Sequence, residues 1–442
     1  MNILAINGAK KVRTKPFEAY NTIGKEEEEA ALRVLRSGKL STFLGTWHDD
    51  FYGGTEVRAL EEEWATYFGA RHAISVNSAT SGLFCAVGAA GIEPGDEIIV
   101  SAYTMSASAV AAIVYGAIPV FADIEEDYYC LDAKSIEKLI TPKTKAIIVV
   151  DIFGQVYDVD AINSLAKKHN LIVIEDAAQA PNASLNGKYA GTFGDMGVYS
   201  LNYHKHINTG EGGIIVTDND ELADKLYLIR NHAEAVLDAR GIKSSKELIN
   251  MVGFNYRLSE IHAAIAREQL KKLPDLLEAR IENADYLNEK LSHINFLKTT
   301  AIRKNSTHAF YVQALQFDEN IAGVDRARFV NALKAELPPT KLREESDVLI
   351  GAGYVKPLYL QPMYQEKIAF GSGGYPFNLT TRTYEKGLCP VTELMHEKKL
   401  ITHELMRPPA NKDDLDDVVE AFYKVAENLS ELWYNMYNTY YK

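Results

Sequence analysis

The sequence predicts an α/β fold, a mostly parallel seven-stranded sheet between helices, followed by a smaller α+β C-terminal domain. Three observations predict it. Between residues 55 and 220, apolar β-branched runs alternate with amphipathic stretches, which is the pattern of successive βαβ units. Several of those runs are Ile and Val without polar alternation, as strands require when helices cover both faces. After Asp220 the texture changes to long, charged helical patterns, so the sheet is expected to end there.

The elements follow in order. Thr55–Phe68 has helical spacing and precedes a first strand at Ala73–Val76; Ser81–Ala90 is the next helix and Glu97–Val100 the next strand. Helix Ala107–Tyr115 leads to strand Pro119–Ala122, and helix Ser135–Leu139 to strand Ala146–Asp151. Val159–Lys168 reads as a helix opened by Asp158, a side chain suited to accept from the first free amides. Strands Ile172–Glu175, Met196–Ser200 and Gly213–Thr217 complete the seven. Beyond them lie helices Glu221–Arg230, Ser259–Lys271 and Leu273–Leu291, the last carrying Pro274 near its start. A strand is expected at Ala309–Phe317, a helix at Arg326–Leu337, a Gly/Pro/Tyr-rich loop over Gly351–Tyr375, a short element at Arg382–Lys386, and a final helix from Lys412 to about Trp433. The Tyr-rich end, WYNMYNTYYK, reads as a helix terminus rather than a base-stacking platform. These elements divide the chain into an N-terminal segment 1–22, a large domain 23–275 and a small domain 276–442.

Composition limits function. With 442 residues, 47% hydrophobic and 24% charged, the chain is neither disordered nor a disulfide scaffold. Its 47 basic and 60 acidic residues give a net charge of -13, which leaves no bulk positive field to collect phosphates along a nucleic acid. Three widely spaced cysteines, Cys85, Cys130 and Cys389, fit a reducing compartment, so a cytoplasmic protein is expected. The opening MNILAINGAKKVRTKPF places apolar residues before basic ones, the reverse of a secretory leader, and no run approaches the roughly 18–20 apolar residues of a membrane span.

Three segments at predicted strand ends carry the chemistry, because ligands of open α/β sheets bind there. Val76-Asn77-Ser78-Ala79-Thr80-Ser81-Gly82 joins strand to helix through small hydroxylated residues, and its amides could cradle a phosphate or simply start a helix. Val173-Ile174-Glu175-Asp176-Ala177-Ala178-Gln179-Ala180 ends a strand on two acids. A carboxylate so placed is costly without a cation, so Asp176 either faces a cation, a metal or a protonated heterocycle, or caps the next helix. Ser200-Leu201-Asn202-Tyr203-His204-Lys205-His206-Ile207-Asn208-Thr209-Gly210-Glu211-Gly212-Gly213 sets a lysine in a turn between two strands, where it could serve as an imine-forming amine. His204 and His206 flank it, but no further ligand stands at metal-site spacing, so no metal is expected.

Together these segments resemble the pyridoxal-phosphate sugar aminotransferases of the DegT/StrS type, within the aspartate-aminotransferase-like fold type I. The resemblance runs from about residue 20 to 270 through RALEEEWATYFGARHAISVNSATSGL, GDEIIVSAYTMSASA, GAIPVFADI, IEDAAQA, AGTFGDMGVYSLNYHKHINTGEGGIIVTD and GFNYRLSEIHAAI, and more weakly through LCPVTELM. It implies pyridoxal 5'-phosphate as cofactor. It further implies that Lys205 holds the cofactor and shuttles a proton, that Asp176 pairs with the ring nitrogen, and that Gln179 bonds the ring's phenolic oxygen. Thr80, Ser200 and the amides after Ala79 would hold the phosphate, with Asn255 reaching it from a neighbouring subunit, which implies a homodimer with shared sites. Met105 stands where the family usually places an aromatic residue over the ring, and Ala79 where it commonly has glycine. Relatives with histidine at the lysine position dehydrate; Lys205 therefore implies amino transfer.

The expected activity moves an amino group from glutamate or glutamine to a keto acceptor, first a nucleotide-linked keto-sugar. A keto-cyclitol (inosose) is the runner-up, because LAINGAKKVRTKPF also resembles the opening of relatives that act on such rings, and a small phosphorylated ketone is third. Two rivals belong to other classes. A non-catalytic cofactor-binding regulatory module is disfavoured by the joint presence of Lys205, Asp176 and Gln179. A Rossmann-type nucleotide-binding protein is disfavoured because no GxGxxG follows the first strand.

Overall fold

A computed structural model describes residues 2–341 and 347–433. Helix α1 (Lys25–Ser37) opens the large unit; Glu27 reaches back to accept from the Gly24 amide at 2.7 Å. It is absent from the elements expected above, because its run of acids hides a narrow apolar stripe in which Ala30 and Val34 pack on Ala264. Helix α2 (Thr55–Phe68) and strand β1 (His72–Val76) follow, then α3 (Ala79–Ala89), β2 (Glu97–Ser101), α4 (Ser106–Val114), β3 (Ile118–Ala122), α5 (Ala133–Leu139) and β4 (Thr144–Val150). Next come α6 (Val159–His169), β5 (Ile172–Asp176), the two-residue strands β6 (Ser184–Leu185) and β7 (Lys188–Tyr189), β8 (Met196–Ser200), β9 (Gly213–Thr217) and α7 (Asp220–Arg230). Asp158 caps α6 as expected, its side chain accepting from the Ala161 amide at 3.1 Å.

Seven of these strands form one sheet in the order β1-β9-β8-β5-β4-β2-β3. The pairs β2 with β3, β2 with β4, β4 with β5 and β5 with β8 are parallel, while β9 runs antiparallel to both neighbours. The expected sheet is therefore present, with boundaries that shift by one or two residues. Its unalternating runs are explained by double coverage. Ile98, Val100, Ile148, Ile174 and Val198 join the core beneath α3, α4 and α7. Their neighbours Ile99, Ile147, Val149 and Val173 point to the opposite face, where Ile136 of α5 and Ile162 of α6 pack. Tyr199, Ile214 and Val216 extend that second face to Trp64 of α2.

The two helices expected on either side of residue 272 are one. Helix α8 (Glu260–Leu291) is continuous for 32 residues with Pro274 inside it, so the division expected at 275/276 falls within a helix. An internal proline forfeits a backbone bond and costs about 3 kcal/mol. Burial offsets that cost on both sides: Ala263, Ala266, Leu270 and Leu273 pack against the large sheet's outer helix, and Ala284, Leu287 and Leu291 against the C-terminal core.

The remaining chain gives β10 (Leu297–Lys298), β11 (Ser306–Thr307), β12 (Gln313–Phe317), α9 (Glu319–Ala322), α10 (Arg326–Glu336), β13 (Ile350–Ala352), α11 (Pro362–Gln365), α12 (Pro390–Leu394), β14 (Leu400–His403) and α13 (Lys412–Glu427). Strands in the order β10-β12-β14-β13 make a four-stranded antiparallel sheet. Leu315, Phe317 and Ile401 of this sheet pack on Phe329 and Leu333 of α10 and on Val418 and Phe422 of α13. The expected strand over Ala309–Phe317 begins only at Gln313, because the backbone of Ala309 and Tyr311 bonds instead to Gly154 and Phe153 of the large unit. β14 was not expected, and the C-terminal helix ends at Glu427, followed by a single 3-10 turn. The Tyr-rich end beyond Trp433 lies outside the described residues. Among the described residues no helix is long and apolar enough to cross a membrane.

Candidate active site

Parallel strands deliver their C-terminal ends to one edge of the sheet, and the segments singled out in the sequence gather there. β1, β9, β8 and β5 are consecutive neighbours, so the loop after Val76, the start of β9, Ser200 and Asp176 follow one another along that edge. Met105 lies beyond β2 at the start of α4, and is 59% exposed.

Asp176 is the last residue of β5 and is buried. The Ser108 hydroxyl donates to its Oδ2 at 2.7 Å and the Ala178 amide donates to Oδ1 at 3.2 Å. Burial pushes its carboxyl above the usual carboxylate range, while Ser108, the Ala178 amide and the charge of Lys205 pull it down. Ser108 was missed in the sequence, although it stands three residues after Met105 and thus one turn into the same helix. Lys205 is also buried, with Nζ 4.4 Å from the centre of the Tyr311 ring. Its turn is closed by the Lys205 amide donating to Asn202 O at 2.9 Å and the Thr209 amide donating to Leu201 O at 3.0 Å. His206 Nε2 lies 2.7 Å from Ala309 O, and burial holds the imidazole neutral.

Gln179, three residues after Asp176, is also buried. Its Oε1 accepts from the Phe153 amide at 2.8 Å and its Nε2 donates to the Tyr354 hydroxyl at 3.0 Å, leaving one amide hydrogen for another acceptor. Tyr354 is in turn fixed by its own amide, which donates to the Tyr103 hydroxyl at 2.8 Å. Neither Tyr354 nor Tyr311 carried a sequence signal, because each reaches the site from a loop more than a hundred residues away from Lys205.

At the other end of the edge, Ser78 caps α3, accepting from the Ser81 amide at 3.1 Å, and Ser81 donates to Asn77 Oδ1 at 2.5 Å. The amides of Ala79 and Thr80 open the helix and have no intrahelical acceptor. Gly213, paired with both Val76 and Ser200, allows this loop to lie on the sheet: a Cβ there would sit 2.7 Å from Ala79 N. Ser200 Oγ accepts from the Asn202 amide at 3.3 Å. Asn255 is exposed; its Oδ1 accepts from Arg257 Nε at 2.7 Å, and its carbonyl lies 3.5 Å from Asn77 Nδ2 of the same chain.

The donor set fits pyridoxal phosphate. A buried carboxylate raised by desolvation is stabilised as the anion when a protonated heterocycle binds beside it. Free amides and hydroxyls at the start of an 11-residue helix suit a phosphate. A buried lysine amine whose charge bears on Asp176 suits a carbonyl carbon.

Comparison with known proteins agrees with that chemistry. The DegT/DnrJ/EryC1/StrS aminotransferase family model matches residues 21–421. An L-glutamine:2-deoxy-scyllo-inosose aminotransferase of Streptoalloteichus tenebrarius is 30% identical over 442 residues, covering 97% of this chain and 99% of its own. A GDP-perosamine synthase of Caulobacter vibrioides is 38% identical over 271 residues, covering 61% of this chain and 71% of its own. Among solved structures, DesI in the presence of its TDP-sugar product superposes with a TM-score of 0.79 at 25% identity, covering 98% of both chains. The E. coli GDP-4-keto-6-deoxy-D-mannose-3-dehydratase with bound hydrated PLP gives 0.74 at 25% identity, covering 92% of this chain and 99% of its own.

Proposed function

The chain belongs to the DegT/DnrJ/EryC1/StrS aminotransferase family, and from that premise we propose that it transfers an amino group from glutamate or glutamine to the ketone of a polyhydroxylated ring. It is a pyridoxal-phosphate-dependent aminotransferase of fold type I. A nucleotide-linked keto-sugar is the first acceptor to test, in keeping with the sugar-nucleotide names among its relatives. A keto-cyclitol is the second, favoured by the end-to-end correspondence with the inosose aminotransferase. The reading is carried by one observation: Asp176, at the end of β5, and Lys205, in the turn that follows the neighbouring strand β8, are both buried, and the lysine charge lowers the Asp176 carboxyl.

When bound, pyridoxal phosphate supplies an electron sink for the carbanion formed at the substrate's α-carbon. The chain's residues supply the rest. Asp176 keeps a proton on the ring nitrogen. The Lys205 Nζ holds the cofactor at rest and carries the proton to and from the substrate carbon, with Tyr311 bounding its path. Gln179 offers its remaining amide hydrogen to the phenolic oxygen. Thr80, Ser200 and the amides at Ala79 and Thr80 would bind the phosphate, and Met105, at the start of α4, would pack on the ring. Asn255 reaches the phosphate of a partner subunit in a homodimer.

Borohydride reduction followed by peptide mapping should place the cofactor adduct on Lys205, and an adduct on Lys143 or Lys188 would overturn the site. Glutamate or glutamine should bleach a visible band near ~420 nm; a band that persists would identify a cofactor-binding module without turnover. Nucleotide-linked keto-sugars, inososes and phosphorylated ketones, offered to the aminated enzyme, then rank the acceptors.

A further inference from the structure

The N-terminal segment 1–22 carried no site residue in the sequence, yet it lies directly behind the lysine-bearing turn. The Tyr20 hydroxyl donates to the backbone carbonyl of His206, the residue after Lys205. Two residues on, Thr22 Oγ1 donates to Gln269 Oε1 at 2.5 Å, and the same oxygen accepts from the Asn208 amide at 3.1 Å. Asn208 Nδ2 closes the ring by donating to Thr22 Oγ1 at 3.2 Å. Gln269 is itself buried on α8, its Nε2 donating to Thr22 O at 2.9 Å and to Glu27 Oε1 at 2.7 Å. The turn is thus gripped one and three residues past Lys205, by groups more than sixty residues away in the chain or further.

The grip at Tyr20 is reinforced from below. The Arg280 guanidinium lies 4.8 Å from the centre of the Tyr20 ring and is fully buried. It donates to Phe310 O at 3.3 Å, and among the described residues no carboxylate lies within ion-pair distance of it. The Tyr20 ring face is the other neighbour of this buried cation, and its charge opposes the rise that burial imposes on the Tyr20 hydroxyl. Guanidinium, phenol and His206 carbonyl form a chain of directed contacts ending at the backbone of the turn.

We propose that Tyr20 is a positioning residue for the Lys205 amine, holding the His206 carbonyl while Thr22 and Gln269 hold Asn208, so that the N-terminal segment fixes the lysine-bearing turn. This rests on the assignment of Lys205 as the cofactor-holding lysine. Loss of the hydroxyl leaves the amine's reach intact and frees its direction, so the spectrum of the loaded enzyme responds as well as its rate.

The test compares Tyr20→Phe, Thr22→Val and Arg13→Ala with the wild type, each loaded with pyridoxal phosphate. Arg13 ties the same segment to Asp414 and Asp417 of α13 and serves as a control for loosening the segment elsewhere. For Tyr20→Phe the pH midpoint of the visible band should move by about one unit, a tenfold change in the underlying equilibrium. Its kcat should fall roughly tenfold with the donor KM within about twofold, the signature of misdirected chemistry rather than lost binding. Arg13→Ala should lower the melting temperature without moving the band. An unchanged midpoint in Tyr20→Phe, or an equal shift in Arg13→Ala, overturns the proposal. If Tyr20→Phe does not fold, Thr22→Val decides on the same criterion. Borohydride mapping of the wild type separates the two levels: an adduct away from Lys205 sinks the functional assignment, whereas an adduct on Lys205 with an immobile midpoint sinks only the positioning role.

Discussion

At the scale of single residues, burial decides which charges the protein can use. At the end of a buried strand, burial pushes the Asp176 carboxyl up, and Ser108, the Ala178 amide and Lys205 oppose that desolvation. Asp176→Asn should retain the cofactor yet slow transamination by orders of magnitude, measured in single turnover, because a neutral ring stabilises the carbanion poorly. Turnover at the wild-type rate would contradict the pairing with the ring nitrogen. One layer beneath, Asp151 and Glu175 are both fully buried. Glu175 accepts from the amides of Gly191 at 2.5 Å, Phe193 at 2.9 Å and Gly194 at 3.2 Å, so it is the natural anion. Burial and the charge of Glu175 hold the Asp151 carboxyl well above the usual range, and its Oδ2 meets no donor, as befits a protonated oxygen facing Glu175. A folded-state pKa raised in this way contributes stability at low pH that is lost as pH rises through the folded value. Asp151→Asn keeps a donor and removes the titration. Its melting temperature should therefore fall less than the wild type's as pH rises above about 4, the ordinary carboxylate value; equal slopes would show that Asp151 titrates normally.

At the scale of elements, local sequence was overruled where packing was strong. Proline normally ends a helix, but Pro274 sits inside α8 because both halves of that helix are anchored in separate cores. Pro274→Ala restores a backbone donor worth up to about 3 kcal/mol and gives back roughly 0.4–1 kcal/mol through a freer unfolded chain. A net rise in denaturation midpoint is expected, and a fall would mean that the proline ring itself fills a required space. The ends of the seven large-sheet strands, by contrast, were legible within a residue or two, their Ile and Val runs bounded by Gly, Ser and Asp. The strand expected from Ala309 instead starts at Gln313, because Gly154 and Phe153 take the backbone before it. α1 and β14 were not legible. The first hides its apolar stripe among acids, and the second is a four-residue inner strand whose two partners, β12 and β13, come from far along the chain.

At the scale of the whole molecule, the question is whether one chain completes a site. Asn255 lies beside Asn77 of its own chain, and its side chain is exposed and held by Arg257, a pose from which it can serve a second subunit. Mixed Lys205→Ala and Asn255→Ala subunits should form hybrids in which one site bears both lesions and the other neither. Activity above that of either parent, with exchange checked by tagged pull-down, is the expected result. Exchange without recovery would assign both residues to the same chain's site.

The sequence by itself determined the sheet and set Lys205, Asp176, Gln179, Thr80 and Ser200 near its strand ends, because each lies within a few residues of one and travels with it. Only the tertiary structure decided what surrounds them. Ser108, Tyr311, Tyr354 and the Tyr20–Thr22 segment reach the site through hydrogen bonds and ring contacts that join distant parts of the chain. Such contacts leave no local periodicity. They exist because a buried amine and a buried carboxylate must be oriented and compensated from every side, and one strand end can supply only one of those sides.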